Sequence, residues 1–85
     1  MEKRLVTVTD LSADFSFDME IPAGIRMDKV CEKIGENLRL LGALSQNDSS
    51  RFRLICSRTN RWIEKEKTAE ENGIWTGDYL TIVLG

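Results

Sequence analysis

The cleanest periodicity in the chain runs from Phe15 to Ile21. Phe15, Phe17, Met19 and Ile21 are apolar, while Ser16, Asp18 and Glu20 between them are polar. Strict alternation is the signature of a strand with one buried and one wet face. Leu5-Val6-Thr7-Val8-Thr9 before it is rich in β-branched residues and also alternates, with Val6 and Val8 on one face and Thr7 and Thr9 on the other. Asp10-Leu11-Ser12-Ala13-Asp14 between the two reads as a turn, so the pair predicts a hairpin. Pro22-Ala23-Gly24 then breaks the extended structure.

The period now changes. Met27, Val30, Cys31, Ile34, Leu38 and Leu41 follow helical spacing and predict an amphipathic helix of about four turns. Asp28 suits its positive end and Gly42 suits a C-terminal cap. Gly35 inside it costs ~1 kcal/mol relative to Ala, a cost that close packing would explain. Leu44 adds one possible core contact before the polar loop from Ser45 to Ser50. Phe52, Leu54 and Cys56 alternate with Arg51, Arg53, Ile55 and Ser57 in a third strand. Thr59-Asn60 is a turn and Arg61-Trp62-Ile63-Glu64 a short fourth strand. Thr68-Ala69-Glu70-Glu71 carries a capping box that starts a single helical turn. Gly73 and Gly77-Asp78 mark turns before a last strand from Tyr79 to Leu84.

A hairpin, one covering helix and further strands predict an α+β architecture: one mixed sheet with one long helix on one face. The helix crosses over between strands two and three. Its stripe buries Val6, Val8, Phe15, Phe17, Met19, Ile21, Leu54, Ile63, Leu80 and Ile82. With 85 residues, no dividing linker and no internal repeat, the chain is expected to form a single domain over residues 1–85.

Composition narrows function mainly through what is missing. There is no His, which removes the commonest general base and every Ser-His or Cys-His dyad. Cys31 and Cys56 cannot build a four-thiolate zinc site and lack redox C-x-x-C spacing. They read as inert, reduced thiols of a cytosolic protein. No apolar run is long enough to span a bilayer, and Met1-Glu2-Lys3-Arg4 does not open a signal peptide. A net charge of −2 does not favour nucleic acid. The expectation is a binding module: no enzyme, no cofactor, no metal and no small-molecule substrate.

Particular residues carry a family resemblance. Arg53-Leu54-Ile55 resembles the start of ubiquitin's third strand, and Thr68-Ala69-Glu70-Glu71-Asn72-Gly73-Ile74 resembles the turn before ubiquitin's last strand. Ala69 is smaller than the Leu usual there. Phe17-Asp18-Met19-Glu20-Ile21-Pro22-Ala23 and Gly73-Ile74-Trp75-Thr76-Gly77-Asp78-Tyr79-Leu80 resemble segments of the YukD/EsaB family. These are small ubiquitin-like proteins of Gram-positive type VII secretion loci. The resemblance covers nearly the whole chain. It implies a ubiquitin-like β-grasp fold and a cytoplasmic accessory or regulatory role, with docking to secretion-machine components at the membrane. The chain itself would be a monomer or weak homo-oligomer. A ubiquitin-like modifier or sulfur carrier is the alternative. It would need a Gly-Gly tail, and here Leu84 precedes a lone Gly85.

The candidate partner-binding residues are Ile55, Val83, Arg53, Trp62 and Trp75. Ile55 and Val83 interrupt the polar face of strands three and five, at positions that carry ubiquitin's apolar recognition patch. Arg53 would frame them. Trp62 points outward if Ile63 points in, and exposed Trp is a favoured interface anchor. Trp75 lies in a turn, and the competing reading has both Trp62 and Trp75 lying flat on the domain's own apolar surface. Arg51, Arg53, Arg58 and Arg61 form a basic cluster on strands three and four, which reads first as a solvated strand face and second as a contact for an acidic partner or nucleic-acid phosphate.

Overall fold

A computed structural model describes residues 2–11, 15–40 and 52–84. Leu41, Gly42, Leu44, the 45–50 loop, Arg51, Gly85 and the Ser12 to Asp14 part of the first turn lie outside the described residues. The elements are β1 (Lys3–Asp10), β2 (Ser16–Pro22), α1 (Met27–Leu40), β3 (Phe52–Cys56), β4 (Arg61–Trp62) and β5 (Tyr79–Leu84). They form one five-stranded sheet in the order β2-β1-β5-β3-β4. β1 and β5 run parallel at the centre, and the other neighbours are antiparallel. This is the predicted mixed sheet with one helix, the β-grasp arrangement.

Register decides which residues meet the helix. Val6 pairs with Met19 and Val8 with both Phe17 and Leu80, while Leu54 pairs with Ile82. Val6, Val8, Phe52, Leu54, Cys56, Leu80 and Ile82 are buried together with the α1 residues Met27, Val30, Cys31, Ile34 and Leu38. Gly35 is buried in α1 as well, consistent with close packing there. Phe15, Phe17 and Met19 depart from expectation: they are only partly buried against the core. β2 is the outer strand of its side of the sheet, so a single helix cannot cover its inner face fully. Pro22, at its end, sits where an edge strand tolerates the missing N–H.

β1 starts earlier than the alternation suggested, at Lys3, and β4 is shorter, ending at Trp62. The first N–H groups of α1 are satisfied by main chain. Met27 N donates to the Lys67 carbonyl and Asp28 N to the Lys65 carbonyl, each at 2.9 Å. The helix start is thereby fastened to the 64–73 segment.

That segment is locally organised as its sequence predicts. Thr68 N donates to Glu71 Oε1 at 2.9 Å, and Glu71 N donates to Thr68 Oγ1 at 3.1 Å, completing the capping box. Asn72 then acts as a substitute strand partner. Its Oδ1 accepts from Glu64 N at 2.8 Å, and its Nδ2 donates to the Glu64 carbonyl at 3.0 Å. The same Nδ2 donates to the Thr68 carbonyl at 2.9 Å. One side chain thus holds both ends of the segment that caps the helix. Replacing Asn72 by Ala removes all three bonds, and we expect a loss of about 1–3 kcal/mol. Urea unfolding reads this directly, and an unchanged midpoint would show that the clasp contributes nothing.

Candidate functional site

The face of the sheet away from α1 is assembled by register. One row runs Ser16, Thr9, Thr81, Ile55, Trp62 across all five strands. The next row toward the start of β1 holds Asp18, Thr7 and Tyr79, and the one beyond holds Glu20 and Leu5. On the other side of the first row, Val83 faces Arg53. Ile55 and Val83 therefore share this face as diagonal neighbours on adjacent strands, close enough for side chains to meet. Both are half-buried. Leu5, Tyr79 and Trp62 are 47%, 55% and 46% exposed. Among the described residues no helix covers this second face, so its alternate residues meet water, and several of them are apolar.

Trp62 points to this face because Ile63 turns inward and is buried. The Arg53 guanidinium lies over the Trp62 ring, 4.2 Å from its centroid. The cation is attracted to the ring, and the contact narrows the freedom of both long side chains. Ile55, Val83, Arg53 and Trp62 are thus brought together on one surface.

Trp75 is not brought there. Its ring covers the guanidinium of Arg4, 4.1 Å from the centroid. Arg4 leaves β1 on the core side, paired with buried Ile21, whereas Leu5 points to the wet face. Arg4 is only 2% exposed, which the sequence did not suggest. It donates to the Ile74 carbonyl at 2.7 Å and to Glu2 Oε1 at 3.3 Å. Trp75 is 53% exposed but serves one of its faces to this buried cation.

The arginine cluster also separates. Arg58 follows β3 and clasps Asp78, with Nε to Oδ1 at 2.7 Å and the terminal nitrogen to Oδ2 at 3.1 Å. The same terminal nitrogen donates to the Gly73 carbonyl at 2.6 Å. Asp78 Oδ2 accepts from Trp75 N at 2.8 Å and from the Cys56 thiol at 3.6 Å. Burial pushes the Asp78 carboxyl up, but the Arg58 hydrogen bonds, the Trp75 N–H and the Arg58 charge together hold it below the usual carboxylate value. Sequence reasoning read Gly77-Asp78 only as a turn. The signal available was an acidic residue directly before an apolar strand, where an unpaired charge would be costly.

Cys31 and Cys56 are both buried free thiols. Burial pushes the Cys31 thiol up to about 11, against a smaller opposing pull from Lys65. A thiol held protonated is a poor nucleophile. It lines a shallow depression with Asp28, Glu32 and Lys65. Lys65 there spends its ammonium on the Phe52 carbonyl at 2.8 Å. Among the described residues no cluster of His, Cys, Asp or Glu could hold a metal ion. No helix among them is long and apolar enough to cross a membrane.

The chain is similar to the ubiquitin-like domain of an Arabidopsis thaliana protein, determined in solution. The TM-score is 0.67 at 15% sequence identity, and the match covers 99% of this chain and 79% of that one. The fold is ubiquitin-like. No protein-family model matches the chain, and no curated protein matches it either. At this identity the likeness establishes the fold alone, and no secretion family is attached to it.

Two outcomes follow from the buried groups. Asp78 has a depressed folded pKa, so its contribution is present above the unfolded value of about 3.9 and is lost as pH falls through the folded value. Acid titration of the urea midpoint should show a fall below about pH 4 that is shallower in Asp78→Asn, a variant already less stable at pH 7. Identical slopes would remove Asp78 from the acid response. Native protein at pH 8 should leave Cys31 and Cys56 unmodified by iodoacetamide, and urea should expose both; fast labelling of either in the folded state would contradict their burial.

Proposed function

We propose that this chain is a non-catalytic protein-interaction module that docks through the exposed face of its sheet. The observation that carries the reading is the convergence of Ile55, Val83 and Trp62 on that face, with Arg53 laid over the Trp62 ring. Apolar side chains with a guanidinium beside them match the composition favoured at protein interfaces. Trp75 is a peripheral candidate, since its ring also shields Arg4.

The biological setting we propose is a type VII secretion system. There the chain would be a cytoplasmic accessory or regulatory component, recruited to a membrane-bound secretion complex. Support comes from the two motif-bearing segments, Phe17 to Ala23 and Gly73 to Leu80, and from the ubiquitin-like fold that holds them. A neighbouring gene for a membrane FtsK/SpoIIIE-like ATPase, together with WxG-type substrates, would support the setting. An adjacent activating enzyme would argue for a modifier instead, through Gly85, which lies outside the described residues.

The test is a single charge placed in the face. Ile55→Asp should abolish capture of the secretion component retained by the wild-type chain. As a surface substitution worth about ±0.5 kcal/mol, it should move Tm by less than about 4 °C. Retained capture would sink the docking reading, and a collapse in Tm would make Ile55 a core residue.

A further inference from the structure

The docking face is self-complementary in charge. Asp18 and Glu20 lie at its β2 side, and Arg53 lies at its β3 side. Apolar Leu5, Tyr79, Ile55 and Trp62 lie between them or flank them. Arg53 is exposed and makes no ion pair among the described residues; its guanidinium rests on the Trp62 ring. Asp18 accepts a hydrogen bond from Thr7 Oγ1 at 2.7 Å and keeps its charge unpaired by any described cation.

Register makes the arrangement more specific than mixed charge. Asp18 and Arg53 are separated by three strand steps and two row steps, and so are Leu5 and Trp62, in the same direction. With strands ~4.8 Å apart and same-face residues ~6.8 Å apart along a strand, each displacement is about 14 Å across and about 14 Å along the sheet. In this strand-and-row lattice one diagonal twofold axis lying in the mean plane of the face therefore exchanges Asp18 with Arg53, and Leu5 with Trp62. The same axis places Ile55 against Tyr79.

We propose that the occupant of this face, in the isolated protein, is a second copy of the chain. Two sheets pack face to face with strands crossing near 90°, a known sheet-packing geometry. Asp18 of each copy meets Arg53 of the other, and each Trp62 covers a Leu5. This is an isologous contact, in which every pairing occurs twice. A face about 20 Å on a side is smaller than the ~800 Å² per partner of a standard stable complex, so the dimer is weak and dissociates on dilution. The inference rests on the sheet-face reading above and deepens it: self-association covers Ile55 and competes with partner docking, so the module is open when dilute and masked when concentrated.

The experiment is sedimentation equilibrium on the purified chain alone, over about a hundredfold range of concentration, with two charge reversals. Wild type should rise toward twice the monomer mass as concentration rises. D18R and R53D should each stay monomeric, because each homodimer would now carry two like-charge contacts. Their equimolar mixture should recover the wild-type mass, because both contacts in the heterodimer are again of opposite sign. A wild-type chain that stays monomeric throughout overturns the proposal. So does a D18R chain that still dimerises, or a mixture that stays monomeric while each variant melts as wild type does. Capture of a secretion component separates this outcome from the docking reading. Asp18 lies outside the Ile55–Val83 contact, so D18R should keep capture. A wild-type monomer that still captures its partner through Ile55 would defeat the dimer and leave docking intact.

Discussion

The sheet is two hairpins, β1–β2 and β3–β4, with β5 inserted between them. β1 belongs to one hairpin and β5 pairs with β3 on the other side, and the parallel β1–β5 contact at the centre holds the halves together. Parallel neighbours cannot be set in register by a tight turn between them, since the whole of the intervening chain separates them. Something must place the start of β5 beside β1. Asp78 does this. Its carbonyl accepts from Thr7 N at 3.0 Å, next to Gly77 N donating to the Leu5 carbonyl at 2.8 Å. Its carboxylate meanwhile gathers Arg58, Trp75 N and the Cys56 thiol. One residue thus ties β1, the end of β3 and the turn before β5. Gly77 beside it adopts φ of +95°, a conformation that lets the chain turn sharply into the β1–β5 contact.

How much of this was legible follows from how local each determinant is. The alternation of β2, the stripe of α1 and the Thr68–Glu71 box are set by residues within a few positions of one another, and periodicity reads them well. The half-burial of Phe17 and Met19 was not legible, because alternation reports which face is inside but not how far the covering helix reaches. Arg4 was not legible either. A basic residue near the start of a chain reads as solvated, and its burial depends on the Ile74 carbonyl and the Trp75 ring about 70 positions away. The Arg58–Asp78 clasp is the same kind of long-range fact. On the wet face the interrupted polar pattern at Ile55 and Val83 was visible, and register supplied what the pattern could not: which residues lie beside them.

The two tryptophans make the clearest physical contrast. Each lies against an arginine, at 4.1 Å and 4.2 Å, so the contacts look equivalent on distance alone. Their surroundings differ. Arg4 is buried and already donates to the Ile74 carbonyl, so Trp75 completes the desolvation of a cation that belongs to the fold. Arg53 is exposed and has no carboxylate among the described residues, so Trp62 orients it without satisfying it. An oriented but unsatisfied guanidinium loses little side-chain freedom when a carboxylate arrives, which favours binding over leaving it in water. Trp75 and Arg4 therefore contribute to holding the chain together, whereas Trp62 and Arg53 leave a charge at the surface for the partner proposed above. The apolar residues of the wet face, Leu5, Tyr79, Val83, Ile55 and Trp62, are spread over four strands, and Ile55 lies in their midst. On the proposed docking reading Ile55 supplies the apolar contact and Arg53 the charge that a partner must answer, while Asp18 acts only when the occupant is a second copy.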